Sequence, residues 1–176
     1  IHDGFFLRMS PGIGGMYFFG NGEKEHDYHD PHTISPGTCF IFMAGGCPIE
    51  NLALHFTFWN DSPFNNVEGT RSTLDVNVDS NAIGPGLTYY LMPLNFFFSG
   101  SVGLGRLSWS EDDWDKKKDR DYEDWDDDDA RYYRVNYGVS ADFMLGKEWW
   151  VSSNWALGVA GVVNYYCIRT QYLIWN

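Results

Sequence analysis

The chain has 176 residues, enough for one domain, and a formal net charge of −12, which disfavours nucleic acid as a partner. No run approaches the roughly 18 apolar residues of a membrane-spanning helix, and no long segment carries a helical repeat of apolar positions. A mean hydropathy of −0.35 would ordinarily argue for a water-soluble protein. A barrel in lipid escapes that test, because every second strand residue can be polar. The aromatic share of 18% is high and fits belts at a lipid–water boundary. The chain opens on Ile1-His2-Asp3 and enters a strand almost at once, which reads as the mature or trimmed form of an exported protein.

The first strand spans about Phe5 to Phe19. Phe5, Leu7, Met9 and Ile13 share one face, and Arg8, Ser10, Gly12 and Gly14 share the other, because a strand sends successive side chains to opposite sides. Pro11 removes a ladder donor, so a local bulge is expected there. Asn21 to His32 is a polar loop. The second strand covers about Thr33 to Ala44, and Gly45-Gly46-Cys47-Pro48 reads as a tight turn. In the third strand Leu52, Leu54, Phe56 and Phe58 alternate with Ala53, His55, Thr57 and Trp59. Asn60 to Ser72 is a polar loop. The fourth strand spans about Leu74 to Leu91, and Met92-Pro93-Leu94-Asn95 is a turn.

The fifth strand, Phe96 to Trp109, sets Phe96, Phe98, Val102 and Leu104 against Phe97, Ser99, Ser101, Gly103 and Gly105. Glu111 to Asp129 is a long charged loop. The sixth strand carries the clearest pattern: Tyr133, Val135, Tyr137, Val139, Ala141, Phe143 and Leu145 form one face, and Arg134, Asn136, Gly138, Ser140, Asp142 and Met144 the other. Gly146 to Asn154 is a turn, and the seventh strand runs from Trp155 to about Tyr166. A stub at Tyr172 to Asn176 follows.

Short turns follow strands two, four and six, and longer polar loops follow one, three and five. That asymmetry is expected of an outer-membrane barrel. Trp149, Trp150 and Trp155 are assigned to one rim, and Trp59 and Trp109 to the other, as an aromatic girdle. The fold class is therefore all-β: an antiparallel up-and-down transmembrane β-barrel in a single domain, residues 1–176. Eight strands are expected, with the last one truncated, since single-chain bacterial barrels have an even number.

His2-Asp3-Gly4-Phe5-Phe6-Leu7-Arg8, Ile83-Gly84-Pro85-Gly86-Leu87-Thr88-Tyr89-Tyr90, and the segment Leu145-Gly146-Lys147-Glu148-Trp149-Trp150 with Val151-Ser152-Ser153-Asn154-Trp155 carry a further signal. They resemble small outer-membrane β-barrel proteins of Gram-negative bacteria, those of myxobacteria and their relatives in particular. The resemblance implies an eight-stranded barrel in the outer membrane, without an assigned activity. It also implies an aromatic closing strand, where this chain ends on Trp175-Asn176.

Candidate sites follow from the same pattern. Arg8, His55 and Asp142 fall on the polar faces of strands one, three and six, and are expected to form a polar network filling a narrow lumen. His26, His29 and His32, with Asp27 and Asp30 between them, offer three imidazoles for a transition metal; an exposed, loosely held loop is the plainer expectation. The loop from Glu111 to Asp129 holds twelve acidic and four basic residues, a local charge of −8; its oxygen ligands suit loose divalent-cation binding, but it lacks the spacing and glycine of an EF-hand, and a solvated outside loop is the plainer expectation. Cys39, Cys47 and Cys167 are expected to be free thiols, since extended chain sets the first two up to roughly 26 Å apart. No cofactor is called for. No serine is placed beside His55 in the manner that nucleophilic catalysis needs, so no catalytic residue is assigned.

The functional expectation is a monomeric, non-enzymatic outer-membrane barrel, in contact with outer-membrane lipid, with a structural or loop-display role. A narrow channel or carrier for small solutes and a soluble ligand-binding barrel of lipocalin type are the alternatives.

Overall fold

The computed structural model describes residues 4–18, 33–64, 67–68, 75–112 and 132–168. The strands are β1 (Gly4–Phe18), β2 (Thr33–Ile49), β3 (Leu52–Pro63), the two-residue β4 (Val67–Glu68), β5 (Asp75–Leu91), β6 (Phe96–Asp112), β7 (Tyr132–Trp150) and β8 (Ala156–Ile168). No helix is present among the described residues. The seven long strands form one antiparallel sheet in chain order, with β4 paired to β5. The sheet curls into a half-barrel, far enough for Arg8 on β1 to reach Glu148 on β7. Among the described residues β1 and β8 form no ladder with each other.

Two-residue alternation decides which side chains face where. On β3, Leu54, Phe56 and Phe58 point to the convex side and stay exposed, whereas Ala53, His55, Thr57 and Trp59 point inward and are buried. The same division holds for Phe5 and Leu7 against Phe6 and Arg8, and for Phe143 and Leu145 against Asp142 and Met144. The core is thus the concave face: Phe6, Ile41, Met43, Trp59, Tyr90, Phe97 and Met144 lie among buried serines and threonines.

Several boundaries differ from the sequence reading. Gly45-Gly46 is not a turn but part of β2, paired to Phe6 and Phe5 on one side and to His55 and Leu54 on the other. A Cβ on Gly45 would run into the Leu54 carbonyl, so glycine serves close strand approach here rather than chain reversal. The register shift between Gly46 and Ile49 absorbs Cys47-Pro48, and the reversal comes at Glu50-Asn51, with Asn51 left-handed at φ 64°. Likewise β7 continues through Gly146 to Trp150 before its turn. The bulge expected at Pro11 is absent: Pro11 pairs in step with Phe40. It lies on an edge strand of the described sheet, where a missing N–H is tolerated.

Candidate functional site

Strand register brings one inward residue from each long strand onto a common row. Phe6 lies opposite Gly45, Gly45 opposite His55, His55 opposite Gly86, Gly86 opposite Ser101, Ser101 opposite Asp142, and Asp142 opposite Asn164. Glycine at 86 leaves room for its neighbours: a Cβ there would collide with Ser101 Oγ and stand 2.7 Å from His55 Cε1. Two of the three residues expected in the lumen, His55 and Asp142, therefore share this row. Arg8 lies one inward step along β1 from Phe6.

Arg8 is the centre of a tight cluster at the end of the sheet near the short turns. Its Nη2 donates to Glu148 Oε1 at 2.7 Å and to the Tyr90 hydroxyl at 2.7 Å, and its Nε donates to Glu148 Oε1 at 3.1 Å. The guanidinium lies 3.7 Å from the Phe97 ring centroid. Pairing, hydrogen bonding and stacking together meet what a buried guanidinium requires. The cluster fills this part of the concave face with side chains from β1, β5, β6 and β7.

His55 anchors a second cluster. Its Nδ1 is 2.9 Å from Thr57 Oγ1 and its Nε2 is 2.9 Å from Thr88 Oγ1. Thr57 continues to Ser101 at 2.7 Å, and Thr88 donates to Ser99 at 2.8 Å. Both ring nitrogens are thereby satisfied, as a buried imidazole needs. A hydroxyl beside an imidazole is the start of a nucleophile pair, yet both threonines are fully buried, and no carboxylate bonds the ring. The arrangement packs and orients side chains.

A third cluster lies further toward the longer loops. Asn164 Nδ2 donates to both carboxylate oxygens of Asp61 at 2.9 Å, and the Tyr166 hydroxyl donates to Asp61 Oδ2 at 2.8 Å. This ties β3 to β8 across the concave face.

The three expected lumen residues are all inward and buried, but no direct hydrogen bond joins them to one another. Asp142 lies buried between its in-register neighbours Ser101 and Asn164. Glu148, Tyr90, Asp61, Asn164 and Tyr166 were not assigned to the site. The sequence pattern places Glu148 in a turn and Asp61 in a loop. Both continue the alternation of their strands: Glu148 follows Asp142, Met144 and Gly146, and Asp61 follows Thr57 and Trp59.

The girdle requires one correction. Trp59 is not at a rim: it is fully buried on the concave face, on the same side of β3 as Thr57 and Asp61. Trp149, Trp150 and Trp155 are exposed around the β7–β8 turn, with Lys147 Nζ 5.7 Å from the Trp149 ring. Trp109 lies on β6 opposite Arg134, and its side chain falls outside those described. His26, His29, His32 and the body of the acidic loop, 113–129, also lie outside the described residues. Among the described residues no group of three or more His, Cys, Asp or Glu gathers as a metal site. The three cysteines are free thiols, as expected. Comparison with family models, with curated proteins and with solved structures finds no match in any of the three.

Proposed function

We propose that this chain is an integral β-barrel of the bacterial outer membrane, with a packed polar lumen and a structural or loop-presenting role rather than catalysis. The observation that carries the reading is the orientation of the sheet. Large apolar side chains cover its convex face, with Phe5 79%, Phe56 68% and Leu104 73% exposed, while arginine, histidine and aspartate are enclosed on the concave face. A soluble barrel of lipocalin type needs the reverse arrangement, because water-facing apolar patches of this extent are rare in soluble monomers. Lipid removes the cost, since hydrocarbon solvates the convex face and backbone groups are satisfied within the sheet. Closure by an eighth long strand belongs to the same reading.

The Arg8–Glu148–Tyr90–Phe97 cluster supports a scaffold over a channel, because it occupies the lumen. An eight-stranded barrel has an interior just wide enough for its own side chains. Planar-bilayer recording tests this. The reading expects the reconstituted chain to give no resolved conductance steps, and Arg8→Ala to give none or few. Regular steps from the unaltered chain would replace the scaffold with a channel.

A further inference from the structure

Two cationic side chains, Lys147 and Arg106, stand on the convex face among the described residues. Lys147 is opposite Phe96 and lies against the rings of Phe96 and Trp149. Arg106 comes ten residues after Phe96 on β6, opposite Asn81 on β5 and Tyr137 on β7. Parity turns it outward: Gly105 pairs with the buried Ala82, and Leu104 and Tyr137 are well exposed. Between the two cations the outward positions of β5, β6 and β7 carry no charge and include Ile83, Leu87, Val102, Leu104, Val139 and Phe143. Ten residues of strand rise about 34 Å, and a barrel tilt of about 40° turns that into about 26 Å of height. That agrees with the apolar band of an outer-membrane barrel, about 25 Å tall, so each cation falls at one edge of the band.

Arg106 has no acceptor of its own. Its Nε is buried without a hydrogen-bond partner, and it forms no ion pair among the described residues. Asp79, one outward step from Asn81 along β5, accepts from the Ser62 hydroxyl instead. A buried donor left unmet is costly, so this place calls for an acceptor. The rest of the row adds neutral donors. Asn60 is opposite Asn81, Asn81 opposite Arg106, and Arg106 opposite Tyr137. Asn60 gives Nδ2 to the Ser80 carbonyl at 3.2 Å and keeps a second amide hydrogen. One outward step toward the short turns the row becomes wholly apolar: Phe58, Ile83, Leu104 and Val139 pair in the same order and are all exposed.

We propose that Arg106, with Asn81, Asn60 and Tyr137 beside it, binds the phosphate of a membrane-lipid headgroup in the leaflet on the side of the longer loops. The guanidinium fork matches phosphate oxygens and supplies the positive charge, and the amides and hydroxyl supply further donors. The lipid's acyl chains lie along Leu104, Ile83 and Val139. Charge and position together select a lipid over a free anion: inorganic phosphate would meet the guanidinium and leave the apolar row beside it uncovered, whereas a phospholipid covers both. The proposal rests on the membrane reading given above.

The test is thermal unfolding of the full chain in a nonionic detergent as phosphatidylglycerol is added. At about 100-fold over Kd the lipid should raise Tm by about 5 °C or more. A diacylglycerol with the same chains, which lacks the phosphate, and inorganic phosphate alone should each raise it much less. Arg106→Gln should weaken phosphatidylglycerol by about tenfold, and Lys147→Gln should keep most of the shift. No shift in the wild-type chain, or an undiminished one in Arg106→Gln, would overturn the site and leave the membrane reading standing. An equal loss in Lys147→Gln would reduce it to unspecific charge attraction. An equal shift with the diacylglycerol would overturn it in favour of apolar contact alone, and an equal shift with inorganic phosphate in favour of a free-anion site. Should Arg106→Gln fail to fold, Asn81→Asp serves: a carboxylate in register with Arg106 should abolish the shift, and an intact shift would contradict the site. A chain that stays folded and dispersed without detergent would sink the membrane reading itself, and the lipid site with it.

Discussion

Arg8 and Trp59 show how much a single inward side chain carries. The guanidinium of Arg8 has its charge met by Glu148, its donors by Glu148 and Tyr90, and its face by Phe97. Removing it leaves Glu148 with an uncompensated charge in a mostly enclosed place, so Arg8→Ala should cost about 3–5 kcal/mol of stability. Unfolding in denaturant checks this. Replacing both members, Arg8→Met with Glu148→Met, should recover much of the loss, because the desolvation of two ions disappears along with their attraction. Trp59 fills the core with no exposed surface, so Trp59→Ala should cost about 3–5 kcal/mol. Trp155, well exposed at the turn, should lose far less on the same change. The polar face of β3 was readable from the letters alone, and Trp59 sits on it by parity; assigning it to a rim came from its residue type. Asp142 and His55 were found because alternation is a local property. Their partners were not, because Glu148 is 140 residues from Arg8 and Asp61 is 103 from Asn164 in the chain, and only curvature of the sheet joins them.

At the scale of the strand, alternation together with the loop and turn residues between segments located all seven long elements, and the errors lie at their ends. Glycine explains the largest one. Gly45 looks like punctuation in a sequence, but here it lets β3 backbone come close to β2. Gly45→Val should therefore disrupt the β2–β3 pairing and lower Tm markedly, whereas Gly161→Ala, where an added Cβ meets nothing within 4 Å, should leave Tm nearly unchanged. Thermal melts of the two variants side by side make the check. The two-residue β4 carries too little pattern to be read from sequence, since alternation needs about four residues to show. Outward positions make a separate prediction. Phe56→Arg puts a charge on the apolar face of a central strand and should cost about 2–4 kcal/mol in a bilayer, with a smaller effect near the rims, at Phe5 or Trp155.

For the molecule as a whole, the sequence specified an all-β antiparallel sheet with one apolar and one polar face, and the structure carries both. Which solvent meets the apolar face is the proposal on which the functional reading depends, and it has a direct test. Spin labels are placed one at a time at Phe5, Phe56, Leu104 and Phe143, all convex, and at Thr57, which is concave, in the chain reconstituted into phospholipid vesicles with its three native cysteines replaced by serine. The account predicts that the four convex labels are reached readily by oxygen, which dissolves in hydrocarbon, and poorly by a water-soluble nickel complex. Ready access of the nickel complex to those same four positions would show that water bathes the convex face, and would contradict it.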